Sequence, residues 1–308
     1  MFDRELFNDA RREFLSHLLY AKGHSQTTCY NYNSDLGIWA KWLTEAGKDW
    51  QACRYPDVEQ FAAWQLRDRK ISAHITNRRL SALSTFYKWL QRGGIVDHDP
   101  VALAEKPKRP LRIPLWLERE EQAKLEATIK DRRNIPINIF GNNKTKMTET
   151  RRRYEMLFGL LLNSGLRISE ALALRASDVR ILDGTAKSVR VIGKGDKERL
   201  VPLPGAFGAV FGFWLKDRNR TEAVFAKADG KAVSPQAARG YLRLMLNKAG
   251  IEKKISPHKL RHTYATNLLN AGAELVDIKA LLGHESIATT QIYTNVGQER
   301  MEQVVARL

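Results

Sequence analysis

Cysteine is scarce in this sequence, with only Cys29 and Cys53 among 308 residues. Two cysteines cannot form the disulfide framework that holds small secreted proteins together, and they cannot fill a four-cysteine zinc site. The composition therefore predicts a protein of a reducing compartment, which we take to be the cytoplasm.

Long apolar segments are also missing. The longest apolar runs, such as Met156–Leu162, are far shorter than the roughly 20 residues that a membrane-spanning helix needs. The first residues are charged from the third position onward, which argues against a secretory signal. No amphipathic anchor for a membrane surface stands out. The sequence therefore predicts no association with a membrane.

Acidic residues are few relative to basic ones: 34 Asp and Glu stand against 51 Lys and Arg, which gives a formal charge of +17. Hydrophobic residues make up 43% of the chain, enough to build a core, so a wholly disordered chain is excluded. A folded chain with this excess of positive charge predicts a polyanionic partner, and nucleic acid is the better candidate than an acidic membrane surface.

The length corresponds to about two domains, and residues 1–104 are predicted to form a helical one. Apolar spacing and cap residues place helices over Phe2–Lys22, after Ser25, after Asp57 and over about Ser72–Gln91. The fourth helix is expected to turn a polar face outward, formed by Asn77, Arg78, Arg79 and Lys88. A basic face of this kind is compatible with DNA contact but, taken alone, is more often a plain solvated surface.

A basic, proline-rich segment separates this domain from the rest. Residues 105–114 contain three prolines, which forbid a helix and favour an extended, semi-stiff strap. The segment carries four cations: Lys106, Lys108, Arg109 and Arg112. It suits a strap that crosses a phosphate backbone, with a solvated linker as the alternative.

Residues 115–308 are predicted to be mainly α-helical with a small β-sheet. The sheet is a hairpin of Lys187–Ile192 and Glu198–Leu203. The polar residues 131–150 are interpreted as a loop or insertion. The helices are expected over Glu118–Lys130 and Tyr154–Leu162, and after the Ser-Pro pairs at Ser234 and Ser256.

Two short stretches of this part place cations where local structure fixes them. Gly165 ends one helix and Arg167 begins the next, so that its guanidinium lies beside the free N–H groups of a helix terminus. Lys194 lies between Gly193 and Gly195 at the hairpin tip, where it can reach a ligand. Either residue is also compatible with an ordinary surface role. The chain contains no G-x-x-x-x-G-K-[ST] loop for a nucleotide.

Two later stretches add histidines and a tyrosine. His258 and Arg261 are three residues apart in the first turn of a helix and therefore share a face. An imidazole beside a guanidinium suits an anion with proton transfer nearby. His284 follows the helix-ending Gly283, and Tyr293 lies at the end of the next short helix. Tyrosine can act as a covalent nucleophile but is more often a core or rim residue.

Taken in order, these residues resemble the tyrosine recombinases, or phage integrase family, with a layout similar to Xer-type recombinases and simple integrases. The matching stretches are NSGLRISEALAL, VIGKGDKERLVPLP, HKLRHTYATNLL and LLGHESIATTQIYT, with RRLSALSTFYKWL in the N-terminal part. The resemblance spans most of the chain. It implies an N-terminal helical core-binding domain (1–104), a linker (105–114) and an α+β catalytic domain (115–308), which together form a C-shaped clamp on DNA.

The resemblance also assigns roles by position. Tyr293 would attack a DNA phosphodiester and form a 3′-phosphotyrosine, with Arg167 and Arg261 on the non-bridging oxygens. Lys194 would protonate the leaving 5′ oxygen, His258 would accept the tyrosine proton, and His284 would bind the phosphate. No ATP, metal or other cofactor is implied. DNA contacts are expected from Asn77, Arg78, Arg79, Lys106, Lys108 and Arg109.

The implied assembly is a homotetramer on paired sites of double-stranded DNA, or a heterotetramer with a related recombinase. The tail after Tyr293 is expected to dock on a neighbouring protomer or else on its own domain, and the protein to act at the nucleoid. Two other functions share parts of this pattern: a monomeric topoisomerase of the same catalytic type, and a non-catalytic DNA-binding accessory protein. The long polar stretch 131–153, which ends in three arginines, is a departure from the family's pattern.

Overall fold

The computed structural model of the chain describes residues 2–107, 115–131, 144–193, 198–227 and 229–283. The chain divides into two compact units, Met1–Arg112 and Ile113–Leu308, called here the N-terminal and C-terminal units. The described residues are mainly helical with one small antiparallel sheet, which confirms the predicted fold class. None of the helices in these ranges combines the length and the apolar character needed to cross a membrane.

The N-terminal unit is built from helices, two of which continue into a π-helical turn. They are α1 (Arg4–Ser16, continued by His17–Ala21), α2 (Gln26–Ala46), α3 (Tyr55–Ala63, continued by Trp64–Asp68) and α4 (Ala73–Arg92). Ser25 caps α2, as predicted, and Ser72 caps α4, each by accepting a hydrogen bond from the backbone N–H three residues later. The helix predicted after Asp57 begins earlier, at Tyr55, because the Asp57 carboxylate accepts the Arg54 N–H at 2.8 Å from within the first turn.

Aromatic side chains dominate the core of this unit. The fully buried ones are Phe7, Phe14, Trp39, Trp50, Phe61, Phe86 and Tyr87. The buried Tyr87 hydroxyl accepts a hydrogen bond from Trp39 Nε1 at 3.2 Å and donates one to the Trp50 carbonyl at 2.8 Å. The Trp39 indole N–H and the Tyr87 hydroxyl are thus paired inside this large apolar cluster, as burial requires.

The C-terminal unit contains the sheet and the remaining described helices. In chain order these are α5 (Arg119–Lys130), α6 (Lys144–Ser164), α7 (Ile168–Ala173), β1 (Val179–Leu182), β2 (Thr185–Ile192), β3 (Glu198–Pro202), α8 (Gly205–Leu215), α9 (Pro235–Lys248), α10 (Pro257–Asn270) and α11 (Leu275–Leu282). The strands pair antiparallel in the order β1-β2-β3. The predicted β2–β3 hairpin is confirmed, and the hairpin of β1 with β2 was not foreseen.

The interpretation of 131–150 as a loop was wrong for residues 144–150, which form the start of α6. The sequence of these residues shows no helical spacing of apolar side chains, but contacts of the next residue, Arg151, hold the helix in place. Arg151 Nη1 donates to the Lys130 carbonyl at the end of α5 at 2.9 Å and to Glu155 at 2.8 Å. A cation at the last carbonyls of α5 therefore joins the two helices.

Helix α6 lies at the centre of this unit and packs against α5, α7, α8 and α10. It ends, as predicted, at Ser164, and Gly165 turns the chain with a φ of 62°. Helix α8 lies directly on β2, since a Cβ at Gly208 would come within 2.2 Å of the Ala186 carbonyl oxygen. Helix α11 ends at Gly283, which also has a positive φ of 63°.

Candidate active site

Arg167 lies at the N-terminus of α7, where its position is fixed by the carboxylate of Glu170 one turn later. The Arg167 N–H donates to Glu170 Oε2 at 2.9 Å, and its Nη1 donates to Oε1 at 2.7 Å. Its Nη2 lies 3.5 Å from the Gly283 carbonyl oxygen beyond α11. The side chain stays 39% exposed, so an anion can reach the oriented guanidinium.

Arg261 is among the largest fully buried side chains of the described chain, with 1% of its surface exposed. It lies in α10, and its guanidinium bridges two helix ends. Nη1 donates to the Gly165 carbonyl at 2.8 Å, and Nη2 donates to the Leu282 carbonyl. The residues that end α6 and α11 therefore hold this guanidinium in one place, close to Arg167.

His258 lies one helical turn before Arg261 and is near both arginines. Burial lowers the pKa of His258, and the charges of Arg261 and Arg167 lower it further. The imidazole is therefore neutral at neutral pH and can accept a proton. Its ring meets that of His262 edge-on, with the ring centroids 4.9 Å apart. Burial, together with the charges of His258, Arg261 and Lys259, lowers the pKa of His262 to about 4.

Two residues at this site were missed by the sequence analysis: Glu170 and Arg199. Burial raises the pKa of Glu170, but hydrogen bonds from Arg199 and Arg167 outweigh that effect and hold the pKa below its ordinary value. Glu170 is therefore ionised between two guanidiniums. Its spacing of three residues from Arg167 in a helix N-terminus was an available signal. Arg199, 29 residues further on, had no local signal of this kind.

Comparison of the sequence with known families adds a match over most of the chain. Residues 138–300 match the phage integrase family, and residues 12–94 match the phage integrase N-terminal SAM-like domain. The chain belongs to the phage integrase family. The resemblance identified from its motifs is thereby confirmed.

Relatives of this integrase-family chain extend over both units. The chain is 31% identical over 301 residues to tyrosine recombinase XerC of Anoxybacillus flavithermus, and the alignment covers 94% of both sequences. It is 34% identical over 312 residues to tyrosine recombinase XerD of Ralstonia nicotianae, which covers 97% of this chain and 93% of the relative. Its fold is similar to XerH site-specific recombinase in a post-cleavage complex with palindromic difH substrate, with a TM-score of 0.73, 20% identity, and coverage of 93% and 81%.

The structure brings together three of the six predicted active-site residues of this integrase-family chain: Arg167, His258 and Arg261. The other three, Lys194, His284 and Tyr293, lie outside the described residues. Their described neighbours in the chain are adjacent to the site, however. Strand β3, which follows Lys194 in the sequence, contributes Arg199, and α11, which precedes His284, contributes its carbonyl groups. Among the described residues, no group of three or more His, Cys, Asp or Glu side chains is placed to hold a metal ion.

The predicted DNA-contacting face of α4 needs a correction. Asn77 is 97% buried rather than exposed, and its Nδ2 donates to the Pro107 carbonyl at 2.9 Å. Arg79 is also largely buried, because it donates to Gln65 at 2.7 Å and lies 3.6 Å from the buried carboxylate of Asp35. The contacts with Gln65 and Asp35 turn the Arg79 side chain inward, which helix periodicity alone did not reveal.

Two other predicted DNA contacts are closer to solvent. Arg78 donates to Asp35 at 2.7 Å yet keeps 44% of its side chain exposed. Lys106 is exposed and lies 3.3 Å from the Ser81 hydroxyl. Lys108 and Arg109 lie outside the described residues. Arg78 and Lys106 are thus the described candidates that a phosphate can approach directly.

The arginine run of residues 151–153 lies in α6 and does not form one surface. Arg152 is exposed, whereas Arg151 and Arg153 are buried. Arg152 and Arg153 line a cavity of about 670 Å³ together with Arg175 and with Arg218, whose guanidinium stacks on Trp214. The cavity is cationic and lies in the same unit as the candidate active site.

Proposed function

We propose that this protein is a site-specific DNA recombinase that cuts and rejoins strands through a 3′-phosphotyrosine, without ATP or a metal ion. The observation that supports this most directly is the meeting of Arg167, His258 and Arg261. These residues come from two separate parts of the sequence and converge at the ends of α6 and α11. Two fixed guanidiniums beside a neutral imidazole suit a phosphodiester that gains negative charge during attack.

In the proposed reaction, the phenolic oxygen of Tyr293 attacks the scissile phosphorus while the bond from phosphorus to the 5′ oxygen breaks. His258 accepts the phenolic proton, and Lys194 donates a proton to the leaving 5′ oxygen. The products are a 3′-phosphotyrosine and a free 5′-hydroxyl. A 5′-hydroxyl of another strand then attacks the phosphotyrosine, which regenerates the phenol and joins the new strand.

The oriented arginines contribute most where charge develops. During attack the non-bridging oxygens gain charge, and a guanidinium fork can donate two hydrogen bonds to them. Arg167 and Arg261 are already fixed by Glu170 and by backbone carbonyls, so little reorganisation is needed when DNA binds. Because the covalent intermediate conserves the energy of the phosphodiester, the rejoining step needs no external energy source.

The proposed assembly is a tetramer of this chain, or of this chain and a related recombinase, on two copies of a DNA site, with the segment after Tyr293 docking on a neighbouring protomer. The proposed direct DNA contacts are those of Arg78, Lys106, Lys108 and Arg109, whereas the buried Asn77 and Arg79 would act only indirectly, through their contacts with Pro107, Gln65 and Asp35. The proposed place of action is the nucleoid. Removing the chain after Asn295 is expected to abolish assembly and strand exchange, and retention of both would refute docking in trans.

The covalent step can be tested with a nicked suicide duplex, which traps the phosphotyrosine because the short 5′ fragment diffuses away. We expect the wild type to form a covalent complex that denaturing gels resolve, and Tyr293→Phe to form none while its DNA affinity stays within about threefold. Covalent linkage at an unchanged level in Tyr293→Phe would refute the assignment of the nucleophile.

A second arm tests the general acid. A 5′-bridging phosphorothioate leaves as a thiolate, which needs no proton from an acid because thiols are far more acidic than alcohols (free cysteine has a pKa of about 8.5). We therefore expect Lys194→Ala to be slow on ordinary DNA and restored on the phosphorothioate. Relaxation of supercoiled plasmid without any exchange of strands between sites would favour a topoisomerase over a recombinase.

A further inference from the structure

Arg199 occupies a place in the sheet where a charged side chain is unexpected. It is the second residue of β3 and pairs with Val191 of β2. Residues opposite each other in an antiparallel pair share a face, and Val191 is buried there, as is Val201 two residues after Arg199. Arg199 therefore points toward the interior, and only 14% of its side chain is exposed.

The partner that holds Arg199 inside is Glu170, the same carboxylate that orients Arg167. Arg199 Nη1 donates to Glu170 Oε1 at 3.2 Å and Nη2 donates to Oε2 at 2.8 Å. Arg167 contributes one bond to each of these oxygens as well. Each carboxylate oxygen thus receives one bond from each arginine, and the Glu170 side chain has a single orientation that satisfies both.

Arg199 also contacts the end of α11, the helix that precedes His284. Its Nε donates to the Leu281 carbonyl at 3.2 Å. Arg261 donates to the next carbonyl, that of Leu282, and Arg167 lies 3.5 Å from the one after that, at Gly283. Carbonyl groups at a helix C-terminus lack helical partners, and cations stabilise them. Three arginines therefore hold three successive carbonyls at one helix end.

Charge gives Arg199 a second consequence. If Arg199 were absent, the ionised Glu170 would pair with Arg167 alone and cancel the charge that Arg167 offers to a phosphate. With Arg199 present, the group of two guanidiniums and one carboxylate keeps a net positive charge. The carboxylate can then orient Arg167 without neutralising the pair as a whole.

We propose that Arg199 is a positioning residue for DNA cleavage, which acts through Glu170 to orient Arg167 and to keep that guanidinium available to the scissile phosphate. This inference rests on the proposed function. Arg199 itself touches no reacting atom. Its place on β3, five residues after Lys194 in the sequence, links the β2–β3 hairpin to the arginine pair.

The test measures single-turnover cleavage of the nicked suicide duplex at saturating enzyme, together with DNA affinity. For Arg199→Gln we expect cleavage to slow by about 10- to 100-fold, the loss typical when a residue that orients a metal ligand is replaced. We expect the dissociation constant to change by less than about threefold. Arg199→Lys, which keeps the charge but not the fork, is expected to recover part of the rate.

The matched control is Arg190→Gln in β2 of the same sheet. Arg190 makes exposed ion pairs with Asp178 and Glu198, and 47% of its side chain is exposed. This variant removes the same charge from the same hairpin without touching Glu170. Its cleavage rate at saturation is expected to stay within about twofold of the wild type.

A double-mutant cycle with Glu170→Gln separates positioning from a general structural role. If Arg199 acts through Glu170, Arg199→Gln should slow cleavage by less than about threefold in the Glu170→Gln background. Full multiplication of the two single effects would overturn the proposal, as would an unchanged rate in a folded Arg199→Gln. A loss that follows the melting temperature and that Arg199→Lys does not relieve would also overturn it. Failure of the wild type to form covalent complex would instead refute the proposed function.

Discussion

Arg261 Nη1 donates a 2.8 Å hydrogen bond to the carbonyl oxygen of Gly165, 96 residues earlier in the chain. The bond ties Arg261, a candidate active-site residue, to the turn at Gly165. This turn needs a left-handed backbone conformation, since Gly165 has a φ of 62°. The geometry of the arginine pair thus depends on a residue without a side chain.

Gly165→Ala is expected to destabilise the C-terminal unit. An added Cβ would lie 2.3 Å from Tyr264 Cδ1 and 2.7 Å from Leu282 Cδ2, in addition to the strain of a positive φ. Strain and overpacking together predict a loss of about 2–5 kcal/mol in the free energy of unfolding. Urea unfolding followed by circular dichroism measures it.

The control is Gly250→Ala, at the end of α9. Gly250 has a similar φ of 67°, and nothing lies within 4 Å of a Cβ built there. Its loss is expected to be about 1 kcal/mol, from backbone strain alone. Equal losses in the two variants would show that packing against Tyr264 and Leu282 is unimportant.

The free energy of unfolding should decrease as the pH is lowered through the range where His262 titrates. The pKa of His262 is lowered from 6.5 to about 4 by burial and by His258, Arg261 and Lys259. Below pH 6.5 the unfolded chain binds a proton at His262 that the folded chain does not bind. The contribution of the neutral His262 to the free energy of unfolding is therefore complete above pH 6.5 and is lost as the pH falls toward 4. At about 1.4 kcal/mol per pH unit, the loss is on the order of 2–3 kcal/mol.

Comparison of the wild type with His262→Gln isolates this effect from that of other titrating groups. Free energies of unfolding measured at intervals between pH 7.5 and 4 should fall less steeply in the variant, by about 2–3 kcal/mol over the range. Parallel curves for the two proteins would contradict the lowered pKa.

Arg78 should contribute to DNA affinity through charge. It is half-exposed and anchored by the buried Asp35, so a phosphate can approach it. Loss of one phosphate contact in Arg78→Gln predicts weaker binding and a decrease of about 0.9 in the slope of log K against log salt. Fluorescence anisotropy of a labelled duplex over a sodium chloride series measures both quantities.

Lys41→Gln serves as the charge-matched control, because Lys41 forms an exposed pair with Glu45 at 3.8 Å. Its slope should equal that of the wild type. Asn77→Ala should also leave the slope unchanged, since Asn77 is buried and carries no charge. A slope for Arg78→Gln that matches the wild type would remove Arg78 from the DNA interface.

The two cysteines should differ in reactivity. Cys53 is 2% exposed, and burial, followed by the nearby Asp57, raises its pKa to about 12, whereas Cys29 is partly exposed. Because the thiolate is the reactive form, iodoacetamide at pH 8 should label Cys29 in the folded protein and both cysteines in urea. Mass spectrometry of the peptides measures this. Rapid labelling of Cys53 without urea would contradict its burial.

Features set by neighbouring residues could be predicted from the sequence. The cap by Ser25, the start of α4 near Ser72, the end of α6 at Gly165 and the β2–β3 hairpin depend on local hydrogen bonds and backbone freedom. The six candidate active-site residues came from motif order, and the structure brings together the three that it describes.

Features that depend on partners distant in the sequence could not be predicted from it. Glu170 and Arg199 form their bidentate pair across 29 residues, and no local pattern marks Arg199 as inward-facing. The inward turn of Arg79 depends on Asp35 of another helix. Residues 144–150 were assigned to a loop because their stretch is polar, and the contacts of Arg151 with α5 and with Glu155 lie beyond the reach of periodicity.

Helix α8 meets the sheet through Gly208 and Gly212, where backbone lies against backbone. A larger residue at either position would push against the backbone of residues 184–186, where β2 begins, and β2 is paired with β3. A change of one methyl group in α8 could then disturb the Arg199–Glu170 pair without touching it. The tolerance of this enzyme to mutation is therefore set in part by two residues that carry no chemistry at all.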